Sequence, residues 1–333
     1  MLRRIPAPSL SPRLVAVALA LALLPGVASA QRAAALDDVG RGDSLFRRGR
    51  VFAAESAYYD AARQSPRDPA ARLALGRYLA ARGALRIGAV LMEEARFFGG
   101  DPKTVGAELA PVYARLGDYR SLAALPGSPL SAMERARAEW LRDHPPASAG
   151  PDSAVVPYTP QGSAQGLGQV TLTLGGESVD ATIDPTVRGL VLDTAWARRG
   201  EVKTFTSRSA GRQAAASPVA VVPAAKLGDL TLQNVPARLT PTGGVGRARI
   251  GLDVFSDLAA TFDESARRIT MRRGGRVART LPGNRLVTLA MPSGVWLATS
   301  TGTASLALDR GRASLRGTKW TVDGRRGQIV VER

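Results

Sequence analysis

The spacing of hydrophobic and polar positions changes once along this chain. From Ala35 to about Pro145, apolar residues return every three or four positions in an alanine-rich background, the pattern of helices that each bury one face. From Val170 onward the period drops to two. Val170-Thr-Leu-Thr-Leu174 alternates apolar and hydroxylated residues, Gly175-Gly176 supplies a tight reversal, and Val179, Ala181 and Ile183 lead back to Asp184. Gly189-Leu-Val-Leu192 then leaves as a third short apolar strand. This spacing places a carboxylate at a sharp turn between buried strands, where it is costly unless it has partners.

The helical half repeats itself. Gly49, Gly83 and Gly117 are spaced by 34 residues, and Gly42, Gly76 and Ala110 form a second set at the same step. The first copy reads Gly42, Gly49, Ala54, Tyr58, Ala61 and Pro66; the second Leu75, Gly76, Gly83, Gly88 and Ala95; the third Leu109, Ala110, Tyr113, Gly117 and Tyr119. Small residues at such positions let paired helices approach closely. The pattern resembles the tetratricopeptide (TPR) repeat, whose helix pairs stack on their neighbours. Leu130 to His144 reads as one further helix that could cap the stack. The resemblance implies a groove for a protein partner. Arg72, Arg77 and Tyr78 are candidates to line it, although the same side chains read equally well as packed or solvated.

The β-rich half resembles the retropepsin-like aspartic proteases, in which an apolar strand ends in Asp-Thr-Gly and a second apolar run follows. Leu227-Gly-Asp-Leu-Thr-Leu-Gln-Asn-Val235 is similar to the paired strands after the family's flap. Ile250-Gly-Leu-Asp-Val-Phe255 is similar to its apolar-apolar-Gly segment and short helix, and Ala260–Asp263 with Arg268–Met271 to its closing hairpin. The expected architecture is therefore multidomain, an all-α TPR-like helical repeat followed by an all-β retropepsin-like (acid protease) barrel. Residues 1–30 read as a signal peptide, 35–145 as helical repeats and 146–168 as a Pro-, Ala- and Ser-rich linker. Residues 169–275 read as the retropepsin-like domain, and 276–333 as an accessory β region or partial second lobe.

The resemblance implies catalysis at Asp184, with Thr186, Gly189, Ser209, Gly211, Arg212, Ile250 and Gly251 in contact with substrate; Thr204–Gln213 stands where the family has its flap. The triplet departs from the family, because Pro185 and Thr186 replace Thr and Gly. Proline has no N–H and fixes φ, and threonine resists positive φ. Aspartic proteolysis also needs two carboxylates about 3 Å apart that share a proton, one acting as base and the other as acid. A dimer mate's Asp184 or this chain's Asp309 would supply the second. Asp309 ends a stretch, Val295 to Asp309, that echoes Val170 to Asp184, but only 24 residues follow it. Asp193-Thr-Ala195 falls after the apolar run rather than before it and is set aside. Three readings stand: a peptide binder with weak or absent aspartic proteolysis, an active aspartic endopeptidase, and a scaffold acting through its helical groove.

Composition narrows the setting. Arg3, Arg4 and Arg13 precede the apolar run Leu14–Leu24, and Ala28-Ser-Ala30 follows, which reads as a secretory leader cut after Ala30. That run is too short for a comfortable membrane span. The expectation is a periplasmic or secreted protein without a stable membrane span after cleavage. There is no cysteine, so an exported fold must rest on its cores alone. His144 is the single histidine, which makes zinc improbable, and the reading calls for no metal and no cofactor. Formal charge is +17, or +14 once the leader's three arginines are gone. Such a balance attracts anionic partners. The arginines are dispersed and no aromatic-studded basic motif appears, so nucleic acid is not expected.

Overall fold

A computed structural model of the chain describes residues 33–48, 50–160, 166–184, 186–199, 202–205, 218–241, 247–274, 287–291, 294–299, 302–304, 319–324 and 328–332. Helices come first: α1 over residues 33–47, α2 Val51–Gln64, α3 Pro69–Ala81, α4 Leu85–Phe97, α5 Pro102–Leu116, α6 Tyr119–Ala124 and α7 Ala132–Asp143. Side chains fix where several begin. Asp68 accepts the N–H groups of Ala70 and Ala71, Asp101 that of Thr104 and Asp118 that of Ser121. Ser131 and Glu134 form a reciprocal capping box at α7.

Some of these glycines pack closely. A Cβ on Gly76 would lie 2.9 Å from the carbonyl oxygen of Gly88, and one on Gly88 would lie 2.7 Å from that of Gly76, so α3 and α4 meet backbone to backbone. Gly42 lies under the ring of Tyr58, which a Cβ would approach to 2.6 Å. Tyr78, a candidate groove residue, belongs instead to the core, where its ring meets Phe46 edge-on. Arg77 is paired with Asp43 and Arg72 with Glu94.

The β half closes on itself. β3 (Gly168–Leu174) and β4 (Glu177–Ile183) form the expected hairpin, and Gly175 and Gly176 turn it at φ +54° and +85°. β4 runs parallel to β9 (Arg247–Ile250), and β9 antiparallel to β5 (Leu190–Asp193). β5 runs parallel to β8 (Leu230–Thr240), β8 antiparallel to β7 (Val219–Leu227), and β7 returns to β3. These pairings make a closed six-stranded barrel of described strands. β3 and β9 alternate buried and more exposed positions while β5 is buried throughout, and Leu172, Ile183, Leu190, Leu192, Leu239 and Ile250 fill the interior with 0% exposure.

Two stretches differ from the sequence expectation. Residues 146–168, read as a linker, contain β1 (Ala147–Ala149), which pairs with β8, and β2 (Ser153–Pro157), which pairs with β11 (Arg268–Arg273). Both are short, and their partners lie far along the chain, so no local pattern marks them. Residues 276–333, expected as an accessory β region, contribute strands to the sheet beside the barrel. β15 (Lys319–Asp323) pairs with β10 (Leu258–Asp263) and with β16 (Gln328–Glu332), giving a second sheet in the order β16-β15-β10-β11-β2. The Trp320 ring stacks on Phe262 at 3.9 Å and is wholly buried. β12 (Val287–Met291), β13 (Gly294–Thr299) and β14 (Gly302–Ala304) form a separate antiparallel sheet.

The helical region packs onto the barrel. α7 lies against β7 and β6 (Lys203–Phe205), and Val221 and Phe205 join the helical hydrophobic cluster. Arg137 Nη1 donates to the carbonyl of Ala237 at 2.9 Å. Arg188 Nη1, on the turn after β4, donates to the carbonyl of Pro111 in α5 at 3.1 Å. His144 stacks on Trp140 at 4.2 Å beside the same interface. No described helix is long and apolar enough to cross a membrane.

Candidate functional site

The turn that the sequence singles out is held from both sides. Asp184 N–H donates to the carbonyl of Ile250 at 2.8 Å, continuing the β4–β9 ladder past its last strand pair. Gly251 N–H donates to the carbonyl of Gly189 at 2.8 Å, so the chain on either side of the turn is tied to the end of β9. Asp184, Thr186, Gly189, Ile250 and Gly251, all expected at the site, are thus brought together. Ser209, Gly211, Arg212 and Asp309 lie outside the described residues, as does Pro185.

Asp184 is 5% exposed and both of its carboxylate oxygens are engaged. Oδ1 accepts the N–H of Thr186 at 2.8 Å and its hydroxyl at 2.5 Å, the local turn that aspartate makes with its own chain two residues on. Oδ2 accepts from Arg249 Nη1 at 3.2 Å. Arg249 sits on β9 opposite Thr182 of β4 and Val191 of β5, at a position whose side chain points outward while Ala248 and Ile250 point inward. The guanidinium is half exposed, so it meets the carboxylate from the solvent side. Both oxygens of this carboxylate are satisfied by hydrogen bonds. Its lone pairs are directed at three donors, and its described partners include no second carboxylate with which to share a proton.

A second acid lies close by. The N–H of Gly189 is directed at both oxygens of Asp253, at 2.9 and 3.1 Å. Asp253 belongs to the single-turn 3-10 helix Leu252–Phe255, which follows β9. Gly189 holds φ +61°, and a Cβ there would lie 2.1 Å from the carbonyl oxygen of Pro236. Glycine is therefore demanded by both conformation and space. Burial pushes the Asp253 carboxyl above the usual carboxylate range, against the Gly189 N–H and the Arg188 and Arg115 guanidiniums, which favour its charged form. Burial and the neighbouring Arg188 in turn pull Arg115 down to about 10.

Asp253 opens onto a cleft of about 820 Å³ between the helical region and the barrel. One wall is the α3–α4 turn with Arg82, Arg86 and Ile87, and the end of α5 with Arg115. The other is β1 with Ser148, β8 with Gln233 and Val235, and the 253–258 turn. Its size is that of a ligand pocket. Among the described residues, no group of three or more acidic or histidine side chains is arranged to hold a metal.

Sequence reasoning missed Arg249, Asp253 and the cleft. Asp253 left a legible signal, since it is one acid in the otherwise apolar run Ile250–Phe255. Arg249 left a weaker one, a cation on the outward phase of a strand whose end meets an acidic turn. The cleft left none, because its walls come from both halves of the chain. Asp193 is 8% exposed and accepts the N–H of Ala195 at 2.9 Å, at the start of the short helix α8 (Ala195–Arg198).

No protein-family profile matches the chain, and no curated protein matches it. Among solved structures, a crystal structure of a retropepsin-like aspartic protease from Rickettsia conorii matches with a TM-score of 0.26 and 6% identity. That match covers 38% of this chain and 93% of the other. A likeness of this size carries no argument about function, which has to be read from the side chains.

Proposed function

We propose that this protein binds an extended polypeptide and leaves it intact. The observation that carries the reading is the state of Asp184: buried, capped by Thr186 and ion-paired with Arg249. An aspartic peptidase needs a carboxylate able to take a proton from water while a second one holds a proton. Here Oδ2 is engaged by the Arg249 guanidinium, Oδ1 by Thr186, and no second carboxylate is among the described partners. What remains is a cleft of ligand-pocket size between the helical region and the barrel, with walls both polar and apolar.

The wider setting is proposed with it. The chain is exported through its residue 1–30 leader, its helical region is TPR-like, and its barrel is a retropepsin-like domain turned to binding. The support is the sequence resemblance, the 34-residue spacing and the small-residue helix contacts at Gly76 and Gly88.

The test is to incubate the purified chain with a labelled, denatured protein mixture from acid to neutral pH, measuring retained label and new peptide ends. Retention without new ends is the expected result. New ends that disappear in Asp184→Asn would establish proteolysis and overturn the reading, as would a failure to retain label at any pH.

A further inference from the structure

We infer that the cleft between the helical region and the barrel is the polypeptide site, and that it takes an acidic, extended segment laid against β1. The inference rests on the polypeptide-binding reading and specifies its place and chemistry.

The carboxylates that line the cleft are already occupied from within the protein. Both Asp253 oxygens face the Gly189 N–H, and Asp257 Oδ2 accepts the Ser148 hydroxyl at 3.0 Å. The guanidiniums of the helical wall differ. Arg82 is paired with Glu55, away from the cleft, and Arg115 Nη1 donates to the carbonyl of Ala80 at 3.3 Å. Arg86 is exposed and has no ion-pair partner among the described residues. Beside it on the cleft wall, Ile87 is 59% exposed. A cation and an apolar side chain side by side ask for a ligand that brings a carboxylate next to an apolar group. Net charge is +17, or +14 without the leader's three arginines, and either draws anionic ligands towards the chain.

The opposite wall explains why the ligand should be extended. Ala147 and Ser148 of β1 line the cleft, and β1 is the outermost strand of the barrel sheet. It pairs with β8 on one edge, Ser148 facing Leu232, and no described strand covers the other. An uncovered edge offers backbone donors and acceptors to an added strand, which gives affinity independent of sequence, while side-chain contacts give the preference. Across the cleft, Arg86 and Ile87 are placed to supply that preference.

The experiment compares fluorescent peptides of equal length that alternate Val with Glu, Gln or Lys, titrated against the full chain and against Arg86→Glu and Arg86→Gln. Arg86 is exposed, so neither variant threatens folding, and thermal unfolding checks that both match the parent. The glutamate peptide is expected to bind about tenfold tighter than the glutamine peptide, and Arg86→Glu to abolish that advantage, since like charges facing each other are strongly disfavoured. Arg86→Gln should remove part of it. If all three peptides bind alike, or if Arg86→Glu leaves the preference untouched, the inference is overturned while polypeptide binding stands. If none binds, polypeptide binding itself fails.

Discussion

The amide of Gly189 meets the carboxylate of Asp253 at 2.9 and 3.1 Å, joining the turn after β4 to the 3-10 helix after β9. This contact fixes the floor of the cleft. It uses a glycine for its positive φ and its lack of a Cβ, and an aspartate whose carboxyl burial pushes above the usual range.

Gly189→Ala should therefore be among the most damaging small changes in the chain. The added methyl would lie 2.1 Å from the Pro236 carbonyl oxygen, and the backbone would be forced to keep φ +61°. The left-handed conformation alone costs about 1 kcal/mol or more, and relief of the clash adds to it, so a loss above about 2 kcal/mol is expected in denaturant unfolding. A loss under about 0.5 kcal/mol would mean that the turn is not held as described.

Asp253→Asn should improve relative to the parent as pH rises. The folded-state value of Asp253 is raised, so the folded protein binds the proton more strongly than the unfolded chain does. The parent thus gains stability from this group in acid and loses it as pH climbs through the raised value, whereas the amide does not titrate. The difference in melting temperature, variant minus parent, should increase between about pH 3 and about pH 7. A constant difference would show that the group is not perturbed.

Arg249→Ala tests the paired state of Asp184. The arginine is half exposed, so screening limits its worth, and a loss of about 1 kcal/mol is expected. Asp184→Ala should cost more, about 1–3 kcal/mol, because the Thr186 N–H and hydroxyl lose their acceptor together with the ion pair. The order of the two losses in urea unfolding is the measurement.

Trp320→Ala should cost about 3–5 kcal/mol, the usual range for removing a wholly buried aromatic side chain. The stacking on Phe262 makes β15 part of the same folding unit as β10. Chemical denaturation should remain a single transition at a lower midpoint. A change near zero would place β15 outside the core.

Gly40→Ala and Gly88→Ala should move in opposite directions. Gly40 is exposed inside α1 with nothing near a new methyl, so alanine gains about 0.5–1 kcal/mol of helix propensity. Gly88 faces the Gly76 carbonyl oxygen at 2.7 Å from a built Cβ, so the same change forces α3 and α4 apart. Thermal melts of the two variants decide it.

The amino-acid sequence determined the parts whose causes are local. The two-residue alternation of Val170–Leu174 and Val179–Ile183 with its glycine pair sets a hairpin wherever that segment lies, and the period-four apolar residues with Asp68, Asp101, Asp118 and Ser131 set helices and their starts. Asp184 was legible as a carboxylate in need of partners; Thr186, expected as a substrate contact, is one of those partners. Tertiary structure alone decided which cation would neutralise it. Arg249 reaches Asp184 only because β4 and β9 run parallel in register, with Thr182 opposite Arg249. The same holds for the cleft, where Arg86 and Ser148 face a common space across the junction of two regions. Periodicity reports which face of an element is apolar; it carries no information about which distant element will cover that face, because pairing and packing are settled by the whole chain's burial at once.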